Sequence, residues 1–99
     1  MRRLNLQGQG AGKSADANLY LPLQGEGCLI ITGALPAGVP VLWQLSGAAY
    51  KLAALPRAGE PRFAPVTLKS GKGQLVVTVE KSADVKSPSA AAILIGKVE

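Results

Sequence analysis

Histidine is absent from the sequence, and cysteine occurs once, as Cys28. A single cysteine excludes an intrachain disulfide and a multi-cysteine zinc site, and without histidine the commonest general base and metal ligand are missing. Cys28 lies in the apolar run 27–31, without the cationic or helix-terminal setting that activates a thiol. We therefore expect Cys28 to be a small buried side chain in a strand, and we expect no metal and no cofactor.

Carboxylates are also few, and they are dispersed along the chain at Asp16, Glu26, Glu60, Glu80, Asp84 and Glu99. All six lie in or beside expected turns, not on the apolar face of a strand where burial favours acid–base chemistry. No serine occupies a strand-to-helix turn of the nucleophile-elbow type. These observations predict a protein that is not an enzyme.

Long apolar runs are missing as well. No segment approaches the roughly 20 apolar residues of a membrane-spanning helix. Arg2 and Arg3 are not followed by the apolar stretch of a secretory signal peptide. We expect a soluble protein without a recognisable signal peptide, in the cytoplasm or as part of a larger assembly.

What the sequence has in abundance is short apolar alternation punctuated by turns. Twelve glycines and seven prolines are spread along the 99 residues, 47% of which are hydrophobic. Every second residue is apolar in three segments, which predicts one buried face in each extended strand. These faces are Leu19/Leu21/Leu23, Val41/Trp43/Leu45 and Leu75/Val77/Val79. Because Trp43 is in register with its apolar neighbours, we expect it in the core.

Further extended segments are expected at residues 4–7, 28–32, 50–55, 66–69 and 92–98, with turns of about 2 to 10 residues between them. This pattern predicts one all-β domain over residues 1–99. We expect a small β-sandwich of about seven or eight short antiparallel strands, in an immunoglobulin-like or jelly-roll-like layout. Residues 8–18 are expected to be a flexible, glycine-rich connection.

The order of motifs between Gly27 and Val79 is similar to that of an immunoglobulin-like sandwich. Cys28 is followed by Trp43, then by Phe63 and by a strand-like segment at residues 74–79. The sequence departs from that family after this point, since residues 87–96 hold neither a second cysteine nor a tyrosine corner. The resemblance implies a sandwich architecture and carries no function with it.

A glycine-rich stretch near the N-terminus invites comparison with a phosphate-binding loop. The candidate residues are Gly10, Gly12, Lys13 and Ser14. In a Walker A motif the first glycine stands five residues before the second, but that position holds Gln7 here. The loop must also lead into a helix, whereas strand-like residues follow within five positions. We therefore expect a connection and not a phosphate site.

Basic residues outnumber acidic ones, with 11 Lys and Arg against 6 Asp and Glu, for a net charge of +5. Four of them flank the expected strand around residue 66 and are candidates for an anionic partner: Arg57, Arg62, Lys69 and Lys72. A cationic end of the domain would attract nucleic acid or an acidic polysaccharide. The aromatic-basic interleaving of nucleic-acid platforms is absent, so this function is the alternative hypothesis.

The apolar run 90–96 bears on the leading hypothesis, because an exposed uncharged strand pairs readily with other chains. This run is expected either to be a central strand or to be covered by another chain. Together with the absence of catalytic residue types, it favours a non-catalytic module for protein–protein interaction or structural assembly. The expected partner is another protein, or a second copy of the chain, bound through a β-edge.

Overall fold

The computed structural model describes residues 1–69 and 72–98. These residues form eight β-strands and one short 3-10 helix at Gly10–Gly12. The strands are β1 (Arg2–Gly8), β2 (Ala15–Leu21), β3 (Gly27–Gly33), β4 (Val39–Leu45), β5 (Ala49–Ala54), β6 (Arg62–Val66), β7 (Gly73–Glu80) and β8 (Leu94–Val98). No helix within the described ranges has the length and hydropathy of a membrane-spanning segment.

All eight strands belong to one sheet, in the order β5-β4-β7-β8-β1-β2-β3-β6, and every neighbouring pair is antiparallel. The sheet curls so that its two edge strands, β5 and β6, approach each other and nearly close a barrel. The prediction of an all-β chain with about eight antiparallel strands is confirmed. The two-layer sandwich is not, since alternating apolar residues bury one face of a strand equally well in a sandwich and in a barrel.

The barrel interior is filled by aliphatic side chains from every strand except β5, whose Leu52 and Ala53 pack against it half-buried. Its fully buried members include Leu6, Leu19, Leu29, Ile31, Leu42, Leu75, Val77 and Leu94. The expected apolar face Leu19/Leu21/Leu23 extends past the end of the strand, because β2 ends at Leu21 and Pro22 follows. Leu23 consequently lies in the β2–β3 turn and is 95% exposed.

A second, smaller core lies outside the barrel wall. Val39, Val41, Trp43 and Val76 form it on the outer face of β4 and β7. Val85 and Ala92, from the β7–β8 connection at residues 81–93, pack against it together with Leu45 and Ile95. Strand β4 is therefore buried on both faces. Trp43 is fully buried as predicted, although beneath the connection and not in the barrel interior.

The apolar run 90–96 leads into β8, which pairs with β7 on one side and β1 on the other. Of the two alternatives, the central strand is therefore confirmed for residues 94–96, whereas residues 90–93 belong to the β7–β8 connection. Residues 8–18 contain more regular structure than expected, because residues 15–18 belong to β2 and residues 10–12 form the 3-10 helix. The strand pairing of Ala15 with Gly33 and of Asp16 with Thr32 explains why β2 begins this early.

Candidate functional site

A partly exposed apolar surface lies on the outer face of β2, β3 and β6. Directly opposed residues of antiparallel strands project on the same face. Tyr20 opposes Cys28, Cys28 opposes Pro65, and Ile30 opposes Phe63. These five residues, Tyr20, Cys28, Ile30, Phe63 and Pro65, are called the outer patch below.

Within the outer patch, Phe63 is 58% exposed and Pro65 is also exposed, whereas Tyr20, Cys28 and Ile30 are half-buried. The expectation of a buried Cys28 is therefore wrong. Because side chains alternate along β3, Cys28 lies on the outer face, whereas Leu29 and Ile31 lie in the core. A period of two assigns alternate residues to opposite faces but leaves open which face is the core. In this run, Leu29 and Ile31 take the interior.

The outer patch ends at an unpaired sheet edge. Within the described residues, no strand ladder joins β6 to β5, so the edge groups of both strands lie along a seam. Both edges carry features that hinder pairing with another strand. On β5 these are Lys51 and a bulge opposite Leu42/Trp43, and on β6 it is Pro65, which has no N–H to donate.

The four residues predicted to bind an anionic partner lie on either side of β6. Arg57 and Arg62 precede or begin the strand, and Lys69 and Lys72 follow it. Arg57 donates from Nη2 to the Lys81 carbonyl oxygen at 2.6 Å, and Arg62 donates from Nη1 to the Pro56 carbonyl oxygen at 3.2 Å. Both guanidinium groups thus contact neutral oxygens, so their charge is not neutralised by these bonds.

Lys69 is held through its backbone. The buried side chain of Gln44 accepts a hydrogen bond from the Lys69 N–H at 2.9 Å and donates to the Lys69 carbonyl oxygen at 3.4 Å. This pair ties the β6–β7 connection to β4, while the Lys69 side chain stays exposed. Sequence reasoning did not identify this role of Gln44, because a glutamine within an alternating strand gives no signal of its partner.

The glycine-rich loop is the tip of the β1–β2 hairpin and leads into a strand, not a helix. Gly12 N–H donates to Gln9 O at 2.9 Å, and Lys13 N–H donates to Gly10 O at 3.2 Å. The Gln9 N–H donates to Ile93 O at 2.9 Å, which joins the loop to the residue before β8. Two of the candidate amides, those of Gly12 and Lys13, are therefore already bonded to carbonyl oxygens.

A buried polar chain runs across the second core. Trp43 Nε1 donates to Thr78 Oγ1 at 2.9 Å, and Thr78 Oγ1 donates to Glu80 Oε2 at 2.6 Å. Ser89 N–H donates to the same Oε2 at 3.2 Å, and the Ser89 hydroxyl donates to Glu80 Oε1. This chain of hydrogen bonds thus holds the β7–β8 connection over Trp43.

Glu80 is only 4% exposed. It lies beside a connection as expected, since it is the last residue of β7, but the expectation that it stays off any apolar face is wrong, because it is buried with Thr78 beside Trp43. Burial by itself raises the pKa of the Glu80 carboxyl. Hydrogen bonds from the side chains of Ser89 and Thr78, and from the backbone N–H groups of Ser89 and Ala90, outweigh it and lower the pKa below the ordinary 4.5. The signal available in the sequence was the spacing of Thr78 and Glu80, which puts both on one face of β7.

The Glu80 carboxylate borders an open pocket of about 600 Å³, formed where residues 81–90 leave the sheet. Both of its oxygens already accept hydrogen bonds from the protein, so the carboxylate holds the connection and offers little to a ligand. No group of three or more metal-ligating side chains occurs in the described part of the chain. The hydrogen bonds of Glu80 hold the β7–β8 connection to the sheet.

Acid is expected to destabilise the fold through Glu80. Because the folded-state pKa lies below the ordinary 4.5, ionised Glu80 contributes stability above that value, and this contribution is lost as the pH falls through the folded-state pKa. Urea unfolding at about pH 7 and about pH 2.5 should therefore show a larger loss of unfolding free energy for the wild type than for Glu80→Gln. Glu26→Gln, at an exposed site in the β2–β3 turn, is the control and should lose as much as the wild type. An equal loss in wild type and Glu80→Gln would contradict the prediction.

The outer patch, the seam beside it and the cations that flank β6 are the features that face outward, whereas Glu80, Thr78 and Gln44 serve the fold. Comparison with known proteins gave no similarity to set beside this geometry: no protein-family model, no curated protein and no solved structure matches the chain.

Proposed function

We propose that the protein is a non-catalytic module that binds another protein through the outer patch and the adjoining edge of β6. The observation that carries this proposal is the position of Phe63. It is 58% exposed and stands on an edge strand, beside other apolar residues of the same face.

Single exposed apolar residues are common on soluble proteins, but contiguous ones indicate contact surfaces. The outer patch joins two aromatic rings, Tyr20 and Phe63, to Ile30 and Pro65 across three paired strands. Aromatic residues bury about 150–250 Å² each and are enriched where binding energy concentrates. The patch adjoins the seam, where no strand ladder covers the free edge of β6 within the described residues.

A second candidate function is binding of an anionic polymer, such as a nucleic acid or an acidic polysaccharide. It is supported by the charge of residues 49–72, which hold five Lys and Arg and a single acidic residue, Glu60. Binding of this kind weakens steeply as salt rises, whereas an apolar interface persists. Salt dependence therefore separates the two candidates.

The proposed function is tested by placing a photo-crosslinking amino acid at position 63 and, as a matched control, at position 23. Leu23 is the more exposed of the two residues but lies in the β2–β3 turn, outside the outer patch. Irradiation in extracts of the cells that make the protein is expected to give a discrete covalent adduct from position 63 and none from position 23. Equal labelling from the two positions, or no adduct from position 63, would overturn the proposal.

A further inference from the structure

We infer that the partner presents an acidic, extended segment that lies over the seam between β5 and β6. This inference rests on the proposed function and adds the chemistry of the partner to it. It follows from two features: the charge of the two edge strands and their connections, and the geometry of the seam.

Almost all of the chain's net charge is concentrated in residues 49–72, which include both edge strands. Residues 49–72 comprise β5, β6 and the connections on either side of β6, and they contain Lys51, Arg57, Arg62, Lys69 and Lys72. With Glu60 as the single acidic residue, five minus one gives +4, out of +5 for the whole chain. Both edges of the open sheet are therefore cationic.

The single acidic residue in this segment is already engaged. Both carboxylate oxygens of Glu60 accept a hydrogen bond from the Gly33 N–H, at 3.2 and 3.1 Å. Lys51 donates from Nζ to the carbonyl oxygens of Ala83 and Val85, so like Arg57 and Arg62 it contacts neutral groups. The cations of residues 49–72 therefore keep their positive field, which favours carboxylates on a partner.

The geometry of the seam indicates where such a segment lies. Paired strands are about 4.8 Å apart, so a strand inserted between two others needs roughly 9.6 Å between them. At their closest, Cα atoms of β5 and β6 are within 8 Å of each other, which is too near for insertion. The segment therefore lies across the outer side of the seam, against Phe63 and within the positive field of residues 49–72.

A second copy of the chain fits this surface poorly. Two copies meeting at their seams would bring two segments of +4 together, and like charges across an interface oppose association. Pro65 and the β5 bulge also hinder direct pairing of like edges. An acidic segment would instead be attracted to the +4 segment.

The test uses fluorescently labelled peptides of about eight residues, the length of a typical strand, with the full-length protein. One peptide alternates Glu and Val, and its control alternates Lys and Val. Fluorescence anisotropy is expected to show saturable binding of the Glu/Val peptide and none of the Lys/Val peptide. In amide NMR spectra, the shifts are expected in β5 and β6 and not in the Gly10–Gly12 loop.

Charge reversal at the seam provides the matched variants. Lys69→Glu/Lys72→Glu changes two exposed residues and should weaken binding of the Glu/Val peptide by about tenfold. Lys97→Glu/Lys13→Glu makes the same change in net charge at exposed positions on β8, which lies at the middle of the strand order, and in the β1–β2 hairpin, and neither residue opposes a member of the outer patch. This control should change binding by about twofold at most, through long-range charge alone.

Several outcomes would overturn the inference. These are absence of Glu/Val binding, equal weakening by the two double variants, and tighter binding of a single-stranded oligonucleotide of equal charge, which would assign the seam to an anionic polymer. A concentration-dependent dimer in sedimentation, blocked by Phe63→Ser, would assign it to a second copy. The position-63 crosslink does not depend on partner charge, so a specific adduct without Glu/Val binding would refute the acidic segment and leave the proposed function intact.

Discussion

Thr78→Val is expected to lower the free energy of unfolding by about 3 kcal/mol, although valine has nearly the shape of threonine and the same preference for strands. The Thr78 hydroxyl accepts from Trp43 Nε1 and donates to Glu80 Oε2. Removing it leaves a buried indole N–H without an acceptor and takes one donor from a buried carboxylate. Each unsatisfied buried group costs about 1–3 kcal/mol, and the cost is higher for a charged group.

The matched control is Thr32→Val. Thr32 lies in β3, on the outer face, and it is exposed. The same chemical change there should alter stability by no more than about 0.5 kcal/mol. Urea unfolding followed by tryptophan fluorescence measures both variants, since Trp43 is the single tryptophan and reports directly on the second core. Similar small effects for both substitutions would show that the Trp43–Thr78–Glu80 chain contributes little to stability.

The Trp43–Thr78–Glu80 hydrogen bonds also show what the sequence could and could not predict. Alternation placed Trp43 in a buried position correctly, because a large apolar side chain in register with valines is buried in nearly any β architecture. It did not show that this burial occurs under residues 81–93, on the outside of the barrel wall. The cover depends on contacts with Val85 and on the bond between Ser89 and Glu80, which are set by the path of a long connection.

The architecture, too, could be predicted only in part. Strand number and antiparallel pairing followed from period-two segments and turn residues, and the central position of β8 was one of two stated alternatives. Whether eight strands form two layers or one curled sheet depends on pairings between strands distant in sequence, such as β1 with β8. Local alternation carries no information about these pairings.

The candidate surface was predicted in part. Arg57, Arg62, Lys69 and Lys72 were singled out by their position around one expected strand, and they do flank β6. That β6 is an edge strand, with Phe63 facing outward, depends on the strand order of the whole sheet. The apolar part of the site thus became visible only with the topology.

The second large effect is expected at Gly8, where substitution by alanine should destabilise the protein by about 3 kcal/mol. A Cβ at this position would lie 1.9 Å from Gly12 O and 2.7 Å from Ala15 O, both backbone atoms. Real Cβ atoms do not approach oxygen closer than about 3 Å, so the hairpin loop would have to move. Its movement would disturb the bond from Gln9 N–H to Ile93 O and the pairing of Gly8 with Leu94.

Gly10→Ala is the control for the same loop. A Cβ there meets nothing within 4 Å, and the cost comes from its φ of +55°, which for alanine is about 1 kcal/mol. Thermal or urea unfolding should therefore show that Gly8→Ala is considerably less stable than Gly10→Ala. The reverse order, or equal effects, would mean that the loop yields freely and that its glycines are not required for packing. The expected order assigns Gly8 to the close approach of the hairpin backbone and Gly10 to its left-handed conformation, which accounts for both glycines without a phosphate.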